Sequence, residues 1–278
     1  MGFRERTMPP MSDESDRAEP APDAAPQPKT PPRFAQAVEI TTATYDQVAR
    51  NYAERNEHAP AHWTERMEQF VDLLAENAER NPLPELGRPG DDATLEEYLQ
   101  LVPVLDAGAG PGRDARSLAA YGLPVLAVDL SQGMLDAAGE RTARRLPKGY
   151  IRYALMDLRH LDDLPDGSCR GVWCSASLLH LPKRVAPRAV AELARVARRG
   201  APVAIFLKRR EEDGESERME AYTHVDDLPE SRRFFAFYTV DEARELVASS
   251  GLELLEVETV PDARQPDLPG WVSLLARK

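Results

Sequence analysis

Residues 104–114 read Val-Leu-Asp-Ala-Gly-Ala-Gly-Pro-Gly-Arg-Asp, a hydrophobic run through Asp106 that enters three glycines at alternate positions, Gly108, Gly110 and Gly112. Glycine tolerates positive φ and has no Cβ, so a ligand can lie directly on such a backbone. Open α/β sheets bind their ligands at this place, the carboxyl end of a parallel strand. The G-x-G-x-G spacing differs from the G-x-G-x-x-G of a dinucleotide site, which aims a helix N-terminus at a pyrophosphate. Here a carboxylate, Asp106, precedes the loop and repels phosphate. The stretch predicts an α/β fold with a cofactor loop that disfavours a phosphate-bearing ligand.

Downstream, hydrophobic strands and amphipathic helices alternate, the pattern of a parallel sheet covered by helices on both faces. Strands are predicted at 103–107, 124–129, 150–155, 171–175 and 203–207, with helices at 113–120, 132–145 and 188–198. A helix at 240–249 precedes two strands, 252–260 and 271–276, which the turn at 261–269 brings into an antiparallel edge hairpin. The fold class is therefore α/β: a doubly wound, seven-stranded, mostly parallel sheet of Rossmann-like form. Upstream, the spacing of Val38, Tyr45, Val48, Ala49 and Tyr52 predicts an amphipathic helix after the Thr41–Thr44 cluster, and Trp63 to Leu74 predicts a second. A loop at 81–93 and a short helical turn at Leu95–Leu99 lead into the sheet. The chain thus divides into a Pro/Ala/acidic tail (1–33) read as disordered, a helical cap (34–100) and a core (101–278) with an irregular lid at 208–238.

At 278 residues the chain suits one α/β domain with a tail. A net charge of −12 argues against binding a nucleic-acid backbone, which takes clustered Lys and Arg. The two cysteines, Cys169 and Cys174, lack metal-ligand spacing and read as buried thiols of a reducing compartment. No secretory h-region or membrane-length apolar run is present, so a cytoplasmic location with no membrane partner is expected. Nothing in the sequence reads out an oligomeric state.

Residues Asp106 to Gly112 resemble motif I of the class I S-adenosylmethionine-dependent methyltransferases, and the resemblance runs from about Tyr45 to Lys278. The donor has a sulfonium, an ammonium and no phosphate, so an acidic strand end favours it. The resemblance implies that Asp106, Gly108, Ala109 and Gly110 cradle S-adenosylmethionine, or its product S-adenosylhomocysteine. Asp129, ending the second strand, matches the motif II acid that accepts both ribose hydroxyls, with Leu130 and Met134 near the adenine. Its competing reading is a helix cap. Asp157, after Met156, implies a contact to the adenine amine, with the Leu158 amide facing a ring nitrogen; otherwise it starts a turn.

Residues Gly171 to Pro182 resemble motif IV and its continuation, which puts Ser175 beside the methionine part of the cofactor. His180 is the candidate general base, since imidazole titrates near pH ~6.5, and its competing reading is a packing histidine. Tyr45 and Tyr52, seven residues apart, share one helix face. In related enzymes such aromatics close over the cofactor; alternatively they join the apolar stripe. Asp114 either caps its helix or touches ligand, and Phe234, Phe235, Phe237 and Tyr238 are candidate substrate-facing aromatics with core packing as the alternative. The hydroxyls and methyl of Ser175, Ala176 and Ser177 do not suit a catalytic metal, and none is expected. The resulting reading is methyl transfer to an O, N or C nucleophile of a small molecule. A tRNA or RNA base methyltransferase and a non-catalytic relative are the competing classes.

Overall fold

The computed structural model describes residues 36–83, 93–145, 149–225, 231–262 and 268–278. The N-terminal tail, most of the 81–93 loop and the middle of the 261–269 turn lie outside the described residues. Three helices come first: α1 (Ala37–Arg55), α2 (Ala61–Arg80) and α3 (Leu95–Leu99). Then follow β1 (Val104–Ala107), α4 (Arg113–Ala120), β2 (Val125–Asp129), α5 (Gln132–Ala143), β3 (Ile151–Leu155) and β4 (Gly171–Ser175). A 3-10 turn (Leu178–His180), α6 (Ala186–Val196), β5 (Pro202–Arg209), β6 (Glu217–Ala221), β7 (Arg232–Tyr238), α7 (Val240–Ala248), β8 (Glu253–Val260) and β9 (Trp271–Arg277) complete it.

The parallel order β3-β2-β1-β4-β5 places β1 between β2 and β4. Chain connections diverge there, at the switch point where doubly wound sheets hold ligands. β9 runs antiparallel along β5 from Pro202↔Arg277 to Lys208↔Trp271, and β8 pairs with β9. All seven predicted strands are present, the last two as the antiparallel hairpin. Side chains of α2 and α4 pack on one face of the sheet, around Phe70, Trp173 and Phe206, while those of α3, α6 and α7 pack on the other.

Two strands were not predicted. The segment 208–238, expected to be an irregular lid, contains β6 and β7, an antiparallel pair from Glu217↔Ala236 to Ala221↔Arg232. β5 outruns β4, whose register ends at Ser175↔Phe206, and β7 takes the vacated edge at Lys208↔Phe237 and Arg209↔Tyr238. The pair therefore stands above the carboxyl ends of the parallel strands. Residues 226–230 between them lie outside the described residues.

The Thr41–Thr44 cluster lies inside α1 rather than before it, because these threonines meet β7. Thr41 Oγ1 accepts from Phe234 N at 2.9 Å, while Thr44 Oγ1 accepts from Arg232 N at 3.1 Å and donates to Arg232 O at 2.7 Å. Helix hydroxyls thus satisfy backbone groups that a neighbouring strand would otherwise satisfy. At its other side α1 is tied to α5: Asp46 Oδ1 accepts from Ser131 Oγ at 2.6 Å and Gly133 N at 2.9 Å. Thr44→Val keeps shape but strands the Arg232 groups, and is expected to cost about 1–3 kcal/mol in urea unfolding. An unchanged midpoint would show that α1 is not fastened to β7 in this way.

Candidate functional site

A cavity of about 480 Å³ opens where β1, β2, β4 and β5 end, beneath α1 and the β6–β7 pair. That volume is ordinary for a small-molecule site. Its lining brings together Tyr45, Tyr52, Asp106, Gly108, Ala109, Gly110, Asp129, Leu130, Met134, Met156, Asp157, Leu158, Ser175 and His180.

The floor is the glycine loop. Gly108 and Ala109 both donate to Val128 O, at 2.8 and 2.9 Å, which pins the loop to the end of β2. Gly108 has φ +75°, and a Cβ there would lie 2.1 Å from Ser177 Cβ, so only glycine lets the β1 and β4 loops approach this closely. Above Gly110 a Cβ would meet nothing within 4 Å; that backbone faces open space.

Three carboxylates surround this loop and differ in state. Asp129 accepts from Gly110 N at 2.8 Å and Ser131 N at 2.9 Å, yet burial holds its pKa above the usual carboxylate range. Burial also pushes Asp114 up, but the Arg113 guanidinium, with Nε 2.6 Å from Oδ1, outweighs it and keeps the group low. Trp173 Nε1 adds a hydrogen bond to Asp114 at 3.0 Å. Asp106 is 2% exposed, and its Oδ2 has no hydrogen-bond partner. Burial, then the neighbouring charge of Asp114, raise its pKa well above the ordinary value. An orphaned buried carboxylate is costly unless something positive comes to it.

Asp157 is engaged by Arg159, whose Nη2 lies 2.6 Å from Oδ2 and whose backbone N donates to Oδ1 at 2.9 Å. Burial would raise its pKa, and the Arg159 hydrogen bonds and charge reverse this and lower it. Tyr45 and Tyr52 meet edge to face, with ring centroids 5.3 Å apart. Ser175 Oγ accepts from Trp63 Nε1 at 2.6 Å.

His180 lies in the cavity with both nitrogens occupied. Nδ1 is 2.7 Å from Phe234 O, which can only accept, so Nδ1 carries the proton. Nε2 therefore accepts from the Tyr45 hydroxyl, also at 2.7 Å. Burial drives the imidazole pKa down to about 3, and burial raises that of Tyr45. The arrangement fits a neutral imidazole that orients Tyr45 and disfavours the expected role as a general base.

Of the four candidate aromatics, only Phe235 and Phe237 face the cavity. Phe234 and Tyr238 are on the opposite face of β7, in the core, because strand side chains alternate. Sequence reasoning missed His62, Trp63, Arg218, Tyr222, Arg233 and Trp271, all of which line the cavity. Period-two alternation in Arg218-x-Glu220-x-Tyr222 and Arg233-x-Phe235-x-Phe237 was the available signal for three of them. His62 Nε2 is buried without a partner, and burial lowers the pKa of this imidazole. Cys169 and Cys174 are buried free thiols. Among the described residues no helix is long and apolar enough to cross a membrane, and no three His, Cys, Asp or Glu side chains gather as a metal site would require.

Residues 104–200 match the family model for a methyltransferase domain. The structure is similar to 1,6-didemethyltoxoflavin-N1-methyltransferase from Burkholderia thailandensis, crystallised with 1,6-didemethyltoxoflavin and S-adenosylhomocysteine (20% identity, 94% of this chain and 99% of that one, TM-score 0.55). It is also similar to magnesium protoporphyrin IX methyltransferase from Synechocystis PCC 6803 with bound S-adenosylhomocysteine (15% identity, 86% and 99%, TM-score 0.56). A third similar structure is a S-adenosylmethionine-dependent methyltransferase from Methanosarcina mazei (18% identity, 66% and 96%, TM-score 0.53). No curated protein matches the chain. The match to the methyltransferase-domain model covers the first half of the sheet, and the chain shares the Rossmann-like α/β fold of these structures.

Proposed function

We propose that this chain is an enzyme that transfers a methyl group from S-adenosylmethionine to a nucleophilic O, N or C atom of a small molecule held in the cavity. The observation that carries the reading is Asp106 Oδ2, buried and unpartnered beside an open glycine backbone. That donor set fits a cationic, phosphate-free ligand. Asp106 would face its positive charge, Asp129 its ribose hydroxyls, and Asp157 with the Leu158 amide its adenine edge. Leu130, Met134 and Met156 would supply apolar contact. When bound, S-adenosylmethionine supplies an electrophilic methyl on sulfur for in-line displacement.

The residues of the chain act mainly by position. Holding nucleophile and methyl in line contributes up to ~7–11 kcal/mol in ideal cases. Tyr45, fixed by His180 and by α1, walls the cavity and excludes water. A proton leaving the acceptor is better received by His62, neutral and with a free nitrogen, than by His180. His62→Gln is expected to lower kcat by about tenfold or more, in keeping with general-base contributions, and His180→Gln to act mainly on KM. The reverse split would restore His180 as the base.

Calorimetry with S-adenosylhomocysteine tests the reading itself. Binding in the micromolar range supports it; failure to bind would overturn it, and binding of a dinucleotide instead would name the replacement.

Asp106→Asn separates stability from function. Because the folded pKa of Asp106 is raised, its favourable contribution is present below the unfolded value of 3.8 and lost as pH rises through the folded value. The variant should therefore melt higher than wild type at pH 7, by about 2–4 °C per kcal/mol gained. The two should converge near pH 4. Its affinity for S-adenosylmethionine should fall about tenfold. Equal melting at pH 7 would mean that Asp106 is not strained in the empty cavity.

A further inference from the structure

The roof of the cavity has the opposite character to its floor. β6 and β7 turn Arg218, Glu220, Arg233, Phe235 and Phe237 toward it. Arg218 sits 4.4 Å from the Phe237 ring centroid and gives both Nε and Nη2 to Glu220 Oε1, at 2.8 and 2.6 Å, so these two charges offset each other. Arg233 makes no ion pair within 4 Å among the described residues, although Glu220, its cross-strand neighbour, attracts it from further away. Its guanidinium lies 4.9 Å from the Tyr222 ring, 4.9 Å from Phe235 and 5.8 Å from Tyr45. Nη1 makes a long 3.4 Å contact to Tyr45 Oη, while Nε is buried with no partner. A buried N–H of a charged group without an acceptor is unfavourable and calls for one.

Granting the methyl-transfer reading, we infer that the acceptor is a flat ring system bearing a carboxylate, taken up by the Nε–Nη2 edge of Arg233 while its ring contacts the cavity-bordering parts of Phe235 and Phe237. Those two rings are near parallel, 27° apart with centroids at 6.1 Å, and, although mostly buried, both border the cavity beside the guanidinium. A guanidinium edge presents two parallel donors that match a carboxylate and not a neutral amide. Aromatic faces around the cation exclude water from it, which strengthens that pairing. Charge is thus divided across the cavity: Asp106 and Asp129 below for a cationic donor, Arg233 above for an anionic acceptor.

The test is calorimetry on the full chain saturated with S-adenosylhomocysteine, using 4-hydroxybenzoate, 4-hydroxycinnamate and 1-hydroxy-2-naphthoate, each against its neutral amide. At least one acid is expected to bind about tenfold or more tighter than its amide, and Arg233→Gln to bring that ratio near one. The double variant Arg218→Gln/Glu220→Gln, which leaves Arg233 in place and no bare carboxylate beside it, should retain the preference. Equal binding of acid and amide across the panel, or no binding of any acid to a protein that binds S-adenosylhomocysteine, overturns the inference and leaves the methyl-transfer reading standing. Failure of S-adenosylhomocysteine to bind wild type overturns both. The wild-type comparison decides the matter even if a variant does not fold.

Discussion

Asp129→Ala is expected to weaken S-adenosylhomocysteine binding by two to four orders of magnitude while the chain stays folded. Hydrogen bonds to a charged acceptor contribute about 1.5–3 kcal/mol each, and the proposed ribose contact contains two. The same carboxylate already accepts from Gly110 N and Ser131 N, so it also sets the loop on which the ligand lies. Asn at this position keeps one acceptor oxygen and should recover part of the affinity; Ala recovers none. Calorimetry on the three proteins measures this directly. If Asp129→Ala binds like wild type, the carboxylate is a loop brace and helix cap, and the ribose lies elsewhere.

Gly108→Ala is expected to destabilise the chain by about 2–5 kcal/mol. Two costs add: left-handed backbone for an L-residue, about 1–2 kcal/mol, and overpacking, about 1–3 kcal/mol. The added Cβ would stand 2.1 Å from Ser177 Cβ and 2.5 Å from its Oγ. Relief therefore has an address. Ser177→Gly removes both atoms, although it forfeits the 2.9 Å bond from Ser177 Oγ to Ala107 O. The double variant should be more stable than Gly108→Ala alone and still below wild type, because the backbone strain remains. Urea unfolding of the four proteins gives the coupling, and additive effects would show that the two loops are not in contact.

The division between what was legible and what was not follows element by element. The helix at Arg113–Ala120 matched its prediction residue for residue, and the seven predicted strands appear within a residue or two. β6 was missed because Glu217-Arg218-Met219-Glu220-Ala221 has no hydrophobic alternation strong enough to stand alone. Such a strand forms because β7 offers its edge, a property of the neighbour rather than of the segment. The threonines of α1 misled for a related reason. Thr is a poor helix interior residue in isolation, but here its hydroxyls complete the hydrogen bonding of β7.

The candidate site divides in the same way. Every residue singled out for cofactor binding lines one cavity, because the glycine loop and the acidic strand ends are fixed by local turn chemistry and by the register of a parallel sheet. What each group can do was not in the sequence. His180 read equally as a base or a packing histidine, and that Phe234 O and the Tyr45 hydroxyl, from two distant elements, would engage both its nitrogens was not visible there. Asp106 became the least satisfied carboxylate only once Asp114 and the sheet closed around it.

From sequence alone came the order of strands and helices, the ligand loop and its negative charge, since hydrophobic period and glycine geometry act between near neighbours. Tertiary structure alone decided which side chains share the cavity, which are deprived of partners, and that a cationic roof stands over an acidic floor. Burial and electrostatic coupling depend on elements far apart in the chain meeting in space, and no local pattern encodes that meeting.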